Sequence, residues 1–208
     1  MKILTSIIAA SAVALTAGVA SAQQNVSVSG EAERSCTLPS AWTFVSGFNG
    51  AGGSQWSAGT WTIPETAFAD TSSNAIAAGE YAIRVRGTGF CNASHSITLQ
   101  SSRGGLRSGN LNQPVPAGFA NGRPLKYEAY WSGGSGGAAS AFGPQTVLNA
   151  QTPGQASAST PYNVSASLAP PGNRTFDVRI GMARGALAQP LLGGTYSDTV
   201  TVTIALAP

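Results

Sequence analysis

Along most of the chain, apolar and polar residues alternate with a period of two, the signature of a strand with one buried face. Val26 and Val28 alternate with Asn25, Ser27 and Ser29. Trp42 and Phe44 alternate with Ala41 and Thr43; Tyr81, Ile83 and Val85 with Ala82, Arg84 and Arg86. Ile97 and Leu99 flank Thr98, and Tyr162, Val164, Ala166 and Leu168 share a face. Phe176, Val178 and Ile180 alternate with Asp177 and Arg179, and Val200, Val202, Ile204 and Leu206 with Thr201, Thr203 and Ala205. Between these runs lie stretches such as Gly50–Ser54 and Ser132–Gly137, where glycine clusters mark loops. No later segment holds a 3.6-residue period. The pattern predicts seven or more short strands, and so an all-β sandwich or barrel.

Composition narrows the function. Only 9% of the 208 residues are charged, against roughly 25% in an average domain. With 42% hydrophobic residues the chain can still build a core, and one domain is the default at this length. The net charge is +3 and the nine Arg are scattered. Nucleic-acid binding would call for basic residues clustered with aromatics, so no nucleic-acid partner is expected. One His and two Cys supply a metal centre poorly, and neither a metal nor a cofactor is expected.

The first 22 residues read as a secretory signal peptide. Lys2 is followed by an apolar, small-residue run from Ile3 to Val19 and by Ala20-Ser21-Ala22, a cleavage pattern. After cleavage no stretch is long and apolar enough to span a bilayer. Export decides how the cysteines are read. Cys36 and Cys91 are the only two, and a pair in an exported chain predicts one disulfide. Closing so long a loop stabilises by roughly 3–4 kcal/mol in the chain-entropy view. A reactive cysteine would instead need an imidazole nearby, for which His95 is the only candidate.

Four local patterns then line up: Val26-Ser27-Val28-Ser29-Gly30-Glu31 leading to Cys36-Thr37-Leu38; Gly89-Phe90-Cys91-Asn92 followed by Ser96–Ser101 and Gly104-Gly105-Leu106; the strand Leu125–Trp131; and Gly193-Gly194-Thr195-Tyr196-Ser197-Asp198 running into Thr199–Ile204. Together they resemble the pilin-like subunits of chaperone–usher fimbriae, in particular the spore coat protein U domain group. The regions Trp42–Trp61 and Gly133–Gln155 carry no part of the resemblance.

The resemblance implies an immunoglobulin-like β-sandwich that lacks one strand and is completed by a donor strand from another subunit. Residues 23–35 would form an N-terminal extension and 36–208 the sandwich domain. The implied donor face is Val26, Val28, Gly30 and Ala32. The implied acceptor and chaperone-binding strand carries Val200, Val202, Ile204 and Leu206 inward. The chain as given stops two residues past Leu206, in keeping with that expectation. Alternation alone also fits a complete sandwich in which Val26–Ala32 pairs within its own subunit. Implied partners are a periplasmic chaperone, an outer-membrane usher and further pilus subunits. The implied function is that of a structural subunit of a surface fimbria serving adhesion or biofilm formation.

Two other readings compete. One is a tip adhesin, against which the single-domain length counts. The other is a free-standing secreted sandwich that binds carbohydrate through an exposed Trp56–Trp61 pair, since aromatic rings stack on sugars and anchor partners. Catalysis is not expected: no Gly-x-Ser-x-Gly elbow, carboxylate pair or metal-ligand spacing is present, and Asp198 reads as a turn or cap residue. The sequons at Asn25, Asn92, Asn163 and Asn173 read as incidental.

Overall fold

The structure is a computed structural model that describes residues 27–68, 79–110, 114–132, 142–150, 152–164, 172–184 and 189–207. Residues 1–22, which the sequence suggests as a signal peptide, together with Val26, Ala166 and Leu168, lie outside the described residues. Two compact units are distinguished, Met1–Ala32 and Glu33–Pro208. Of the first, residues 27–32 are described; they belong to no strand, and Val28 is 93% exposed.

The second unit is built from β1 (Cys36–Thr37), β2 (Thr43–Phe48), β3 (Trp56–Ser57), β4 (Thr60–Trp61), β5 (Gly79–Cys91), β6 (His95–Ser101), β7 (Leu106–Ser108) and β8 (Gly122–Arg123). It continues through β9 (Leu125–Ser132), β10 (Phe142–Ala150), β11 (Ser157–Ala158), β12 (Tyr162–Val164), β13 (Gly172–Arg184), β14 (Tyr196–Ser197) and β15 (Val200–Leu206). A single helical turn, α1, spans Glu65–Phe68.

These strands make an all-β, sandwich-like fold. In the larger sheet, β5, β13, β9 and β10 follow one another, while β1 and β2 both pair with the other edge of β5. In the second sheet β6 is central: β11 and β12 pair with one edge and β15 with the other, all antiparallel. The two sheets share one core. Ile97 and Leu99 of β6 and Val164 of β12 meet Ile83, Val85, Ala129, Trp131, Phe176 and Val178 from the larger sheet. Period-two alternation does this directly, since His95, Ile97, Leu99 and Ser101 are buried while the residues between them are not. Each large apolar side chain so buried contributes about 1.5–3 kcal/mol.

β5 runs on through Gly87 and Gly89, where a strand would be expected to weaken. A Cβ at Gly87 would collide with Pro39 and the Ala41 carbonyl, and one at Gly89 with the Thr37 carbonyl and the Trp131 ring. The two glycines let the β1–Ala41 segment lie directly on β5. Two expectations need correction here. The stretch Gly133–Gln155 carried no recognised pattern, yet it contains β10. Pro144 sits at a bulge between Phe142 and Gln145, which an edge strand tolerates. Conversely, the alternating run after Val26 forms no strand in residues 27–32.

Candidate functional site

β15 is an edge strand. Along its whole length, from Val200 opposite Ser101 to Leu206 opposite His95, it pairs with β6, and among the described residues it has no partner on its other edge. Register places Val200, Val202, Ile204 and Leu206 on the same face as Ser101, Leu99, Ile97 and His95. Yet the neighbouring Ile97 and Leu99 are fully buried, whereas Val200, Val202 and Ile204 are only half-buried and Leu206 is 42% exposed. On β10, an edge strand of the larger sheet, the inward Leu148 and Ala150 are by contrast buried. β1 lies beside β15, and on this side Leu38 and Phe44 are likewise half-buried against the core. The under-covered part of the core therefore runs along the seam where β15 has no pairing strand among the described residues.

The turn into β15 is set by Asp198. Its Oδ2 accepts hydrogen bonds from the Ser101 hydroxyl (2.6 Å), the Tyr127 hydroxyl (2.8 Å) and the Gly105 amide (3.0 Å). Its Oδ1 accepts from the Arg103 amide (3.0 Å), the Ser102 hydroxyl (3.2 Å) and its neighbour Thr199 N–H (2.8 Å). Burial, then the negative Asp198 and the hydrogen bond given to it, hold the Tyr127 phenol far above its usual pKa. Tyr196 completes the turn by donating to the Leu192 carbonyl at 2.7 Å. The Gly193–Thr199 pattern is thus a device that fixes where and in which register β15 begins, in agreement with the turn role expected of Asp198.

A second device holds the start of the domain. The Asn92 side chain accepts from Ser35 N–H (2.7 Å) and donates to the Glu33 carbonyl (2.8 Å), and Asn92 N–H bonds the Ser35 carbonyl (3.1 Å). Arg34 donates to the Ala207 carbonyl at 2.9 Å, next to the end of β15. The sequon reading of Asn92 missed this, because only the fold brings residue 92 to residue 33.

Cys36 and Cys91 form the expected disulfide, directly opposite each other in the β1–β5 pair. His95 does lie beside them: one of its ring nitrogens and the two sulfurs fall within 4.8 Å of one another, and Nδ1 is 3.1 Å from the Cys91 sulfur. Both nitrogens are committed, however. Nε2 accepts the Trp131 indole N–H at 2.8 Å, so Nδ1 carries the proton and donates to the Ala93 carbonyl at 2.9 Å. With the sulfurs bonded to each other, the trio offers no free donor atom to a metal.

Trp56 and Trp61 face each other across the β3–β4 hairpin, but they are not the exposed pair expected from the neighbouring glycines. Both are half-buried against the core. Trp56 Nε1 donates to the Trp42 carbonyl (3.2 Å), and Trp61 stacks on Tyr81 at 5.7 Å.

Charge is concentrated where the sequence showed it scattered. On the outer face of the larger sheet, Arg84 and Arg86 of β5 both bond the fully buried Asp177 of β13, and Arg179 bridges Glu80 and Glu128. The Asp177 carboxylate raises the pKa of Arg86 chiefly through its hydrogen bond. Cross-strand register (Asp177 opposite Arg86) assembles this network, and residues about 90 apart in sequence give no local sign of it. No family model, curated protein or solved structure matches the chain.

Proposed function

We propose that the chain is a structural subunit of a chaperone–usher type surface fimbria, similar to the spore coat protein U domain group, that polymerises by donor-strand exchange. The observation that carries this reading is the half-covered apolar face of β15 beside an edge with no pairing strand among the described residues. An exposed edge next to core residues is a liability unless another strand covers it. Strand addition answers both needs: main-chain hydrogen bonds satisfy the edge, and alternate side chains fill the seam over Val200, Val202 and Ile204. The exposed segment from Ser27 to Ala32, with Val28, Gly30 and Ala32 at alternate positions, supplies a strand of the required pattern. In this reading a periplasmic chaperone covers the edge first, an outer-membrane usher catalyses the exchange, and the next subunit's extension replaces the chaperone. The subunit is exported through the periplasm and ends at the cell surface.

The test is thermal unfolding of chaperone-free mature chain with and without a synthetic peptide covering Gln23–Glu33. A ligand selective for the folded state stabilises it by RT ln(1 + L/Kd), L being the free ligand concentration, so the midpoint climbs with the logarithm of free ligand above Kd. A concentration-dependent rise is expected. An unchanged midpoint, together with a monomeric chain at high concentration, contradicts the proposal.

A further inference from the structure

A cleft of about 920 Å³ opens between the chain from Thr60 to Glu65 and the chain from Pro190 to Asp198. None of its lining residues belongs to β15 itself, although Thr195–Asp198 are part of the turn that leads into it. Its lining includes the buried Leu106 and the half-buried Trp61. The Trp61 indole is held in place: it stacks on Tyr81 with the planes 14° apart, and its Nε1 donates to Gln55 Oε1 at 3.4 Å. Phe119, 41% exposed, adds a second aromatic surface. Trp56 is not part of the lining.

We propose that this cleft binds a neutral saccharide of two or three residues. The volume lies in the range that encloses a ligand of that size. A fixed aromatic ring suits the apolar face of a sugar ring, and the exposed hydroxyls of Thr60, Thr62, Thr195 and Ser197 around the cleft suit its hydroxyl groups. Charge decides against other ligands. Among the described residues no Lys or Arg lines the cleft, so an anionic sugar, phosphate or nucleotide finds no counter-charge there. Of the two carboxylates, Asp198 is saturated by the hydrogen bonds described above, which leaves Glu65, exposed at the rim, as an acceptor for sugar hydroxyls. Among the lining glycines, Gly193 has nothing within 4 Å of the position a Cβ would take. A side chain can therefore be added there without disturbing the fold. The proposal goes beyond the subunit reading and does not depend on it.

The experiment is ligand-observed NMR followed by calorimetry on the mature chain. Cellotriose, chitotriose, mannotriose and lactose serve as neutral probes, with glucuronic acid and inorganic phosphate as anionic ones. At least one neutral probe is expected to bind, at least tenfold more weakly to Trp61→Ala. Gly193→Phe, which fills the cleft and leaves the core intact, is expected to weaken binding by at least as much. Both variants should keep the response to the Gln23–Glu33 peptide seen for the unsubstituted chain, whichever response that is. If Trp61→Ala does not fold, Gly193→Phe and Phe119→Ala decide. The proposal is overturned if none of the four neutral probes binds, if binding is unchanged by Gly193→Phe, or if only the anionic probes bind.

Discussion

Asp198 shows how much of this fold depends on single polar groups. Each of its oxygens accepts three hydrogen bonds, and removal of the carboxylate would orphan buried donors at about 1–3 kcal/mol each. Its partner Tyr127 gives the arrangement a measurable pH signature. The unfolded phenol ionises near the ordinary 10.0, while the folded one, buried against a carboxylate, holds its proton to far higher pH. Above pH 10 the unfolded state therefore binds fewer protons than the folded state, and stability falls as pH rises, by up to about 1.4 kcal/mol per pH unit for each such tyrosine. Burial also raises the phenols of Tyr130 and Tyr196, which add to the slope. Tyr127→Phe should cost about 1–2 kcal/mol at pH 7 through the lost hydrogen bond and should lose stability less steeply above pH 10. Urea unfolding of both proteins from pH 8 to 11.5 should give curves that converge; parallel curves would show that Tyr127 keeps no raised pKa.

At the scale of elements, the strands that were legible are those whose apolar positions face a core that any partner strand would recognise: β5, β6, β9, β13 and β15 appear where period two places them. β10 was not legible, because Gly143 and Pro144 interrupt it at a bulge; the buried residues among those described in it are Leu148 and Ala150. The run from Val26 reads as a strand by the same alternation, yet residues 27–32 join no sheet. Alternation records which side chains a partner could cover and says nothing about where that partner is. The candidate edge shares this limit. That Val200, Val202 and Ile204 face inward was readable from sequence; that β6 pairs with β15 on one edge and no described strand pairs with the other is a matter of register across about a hundred residues. The consequence is testable on β15 itself. Val202→Lys or Ile204→Lys places an ammonium in the seam, where an incoming strand would bury it unpaired. In the free subunit these half-buried positions let the amine reach water, so folding should suffer less than peptide binding. Both variants should lose the Gln23–Glu33 peptide response, whereas Thr201→Lys, on the exposed face, should keep it. Retention of the response by both inward variants would remove β15 from the acceptor role.

For the whole molecule, the decisive question is whether the segment before the sandwich acts within its own subunit or in the next. The domain holds its own start firmly: the disulfide at Cys36, the Asn92 clamp on residues 33 and 35 and the Arg34 contact to Ala207 all lie after the segment, so removal of residues 23–32 leaves them intact. Deletion of Gln23–Ala32 should therefore leave the stability of the isolated domain, from its unfolding curve, within about 0.5 kcal/mol of the original, as for other surface changes. If the segment instead completes its own sandwich, the deletion removes a core strand and should cost several kcal/mol. In the polymer reading the truncated subunit keeps its acceptor edge but has nothing to donate. Mixed with full-length subunits it should end growing fibres, and mean fibre length in electron micrographs should fall as its fraction rises. Gly30 refines the same test, since it is the one position on the donor face without a side chain. Gly30→Leu in the full-length chain should leave the monomer unchanged, because nothing lies within 4 Å of a Cβ there, and should slow fibre growth if the seam opposite Gly30 is shallow. Fibres of normal length in the presence of excess truncated subunit, or a truncated monomer that no longer folds, would each rule out donation between subunits.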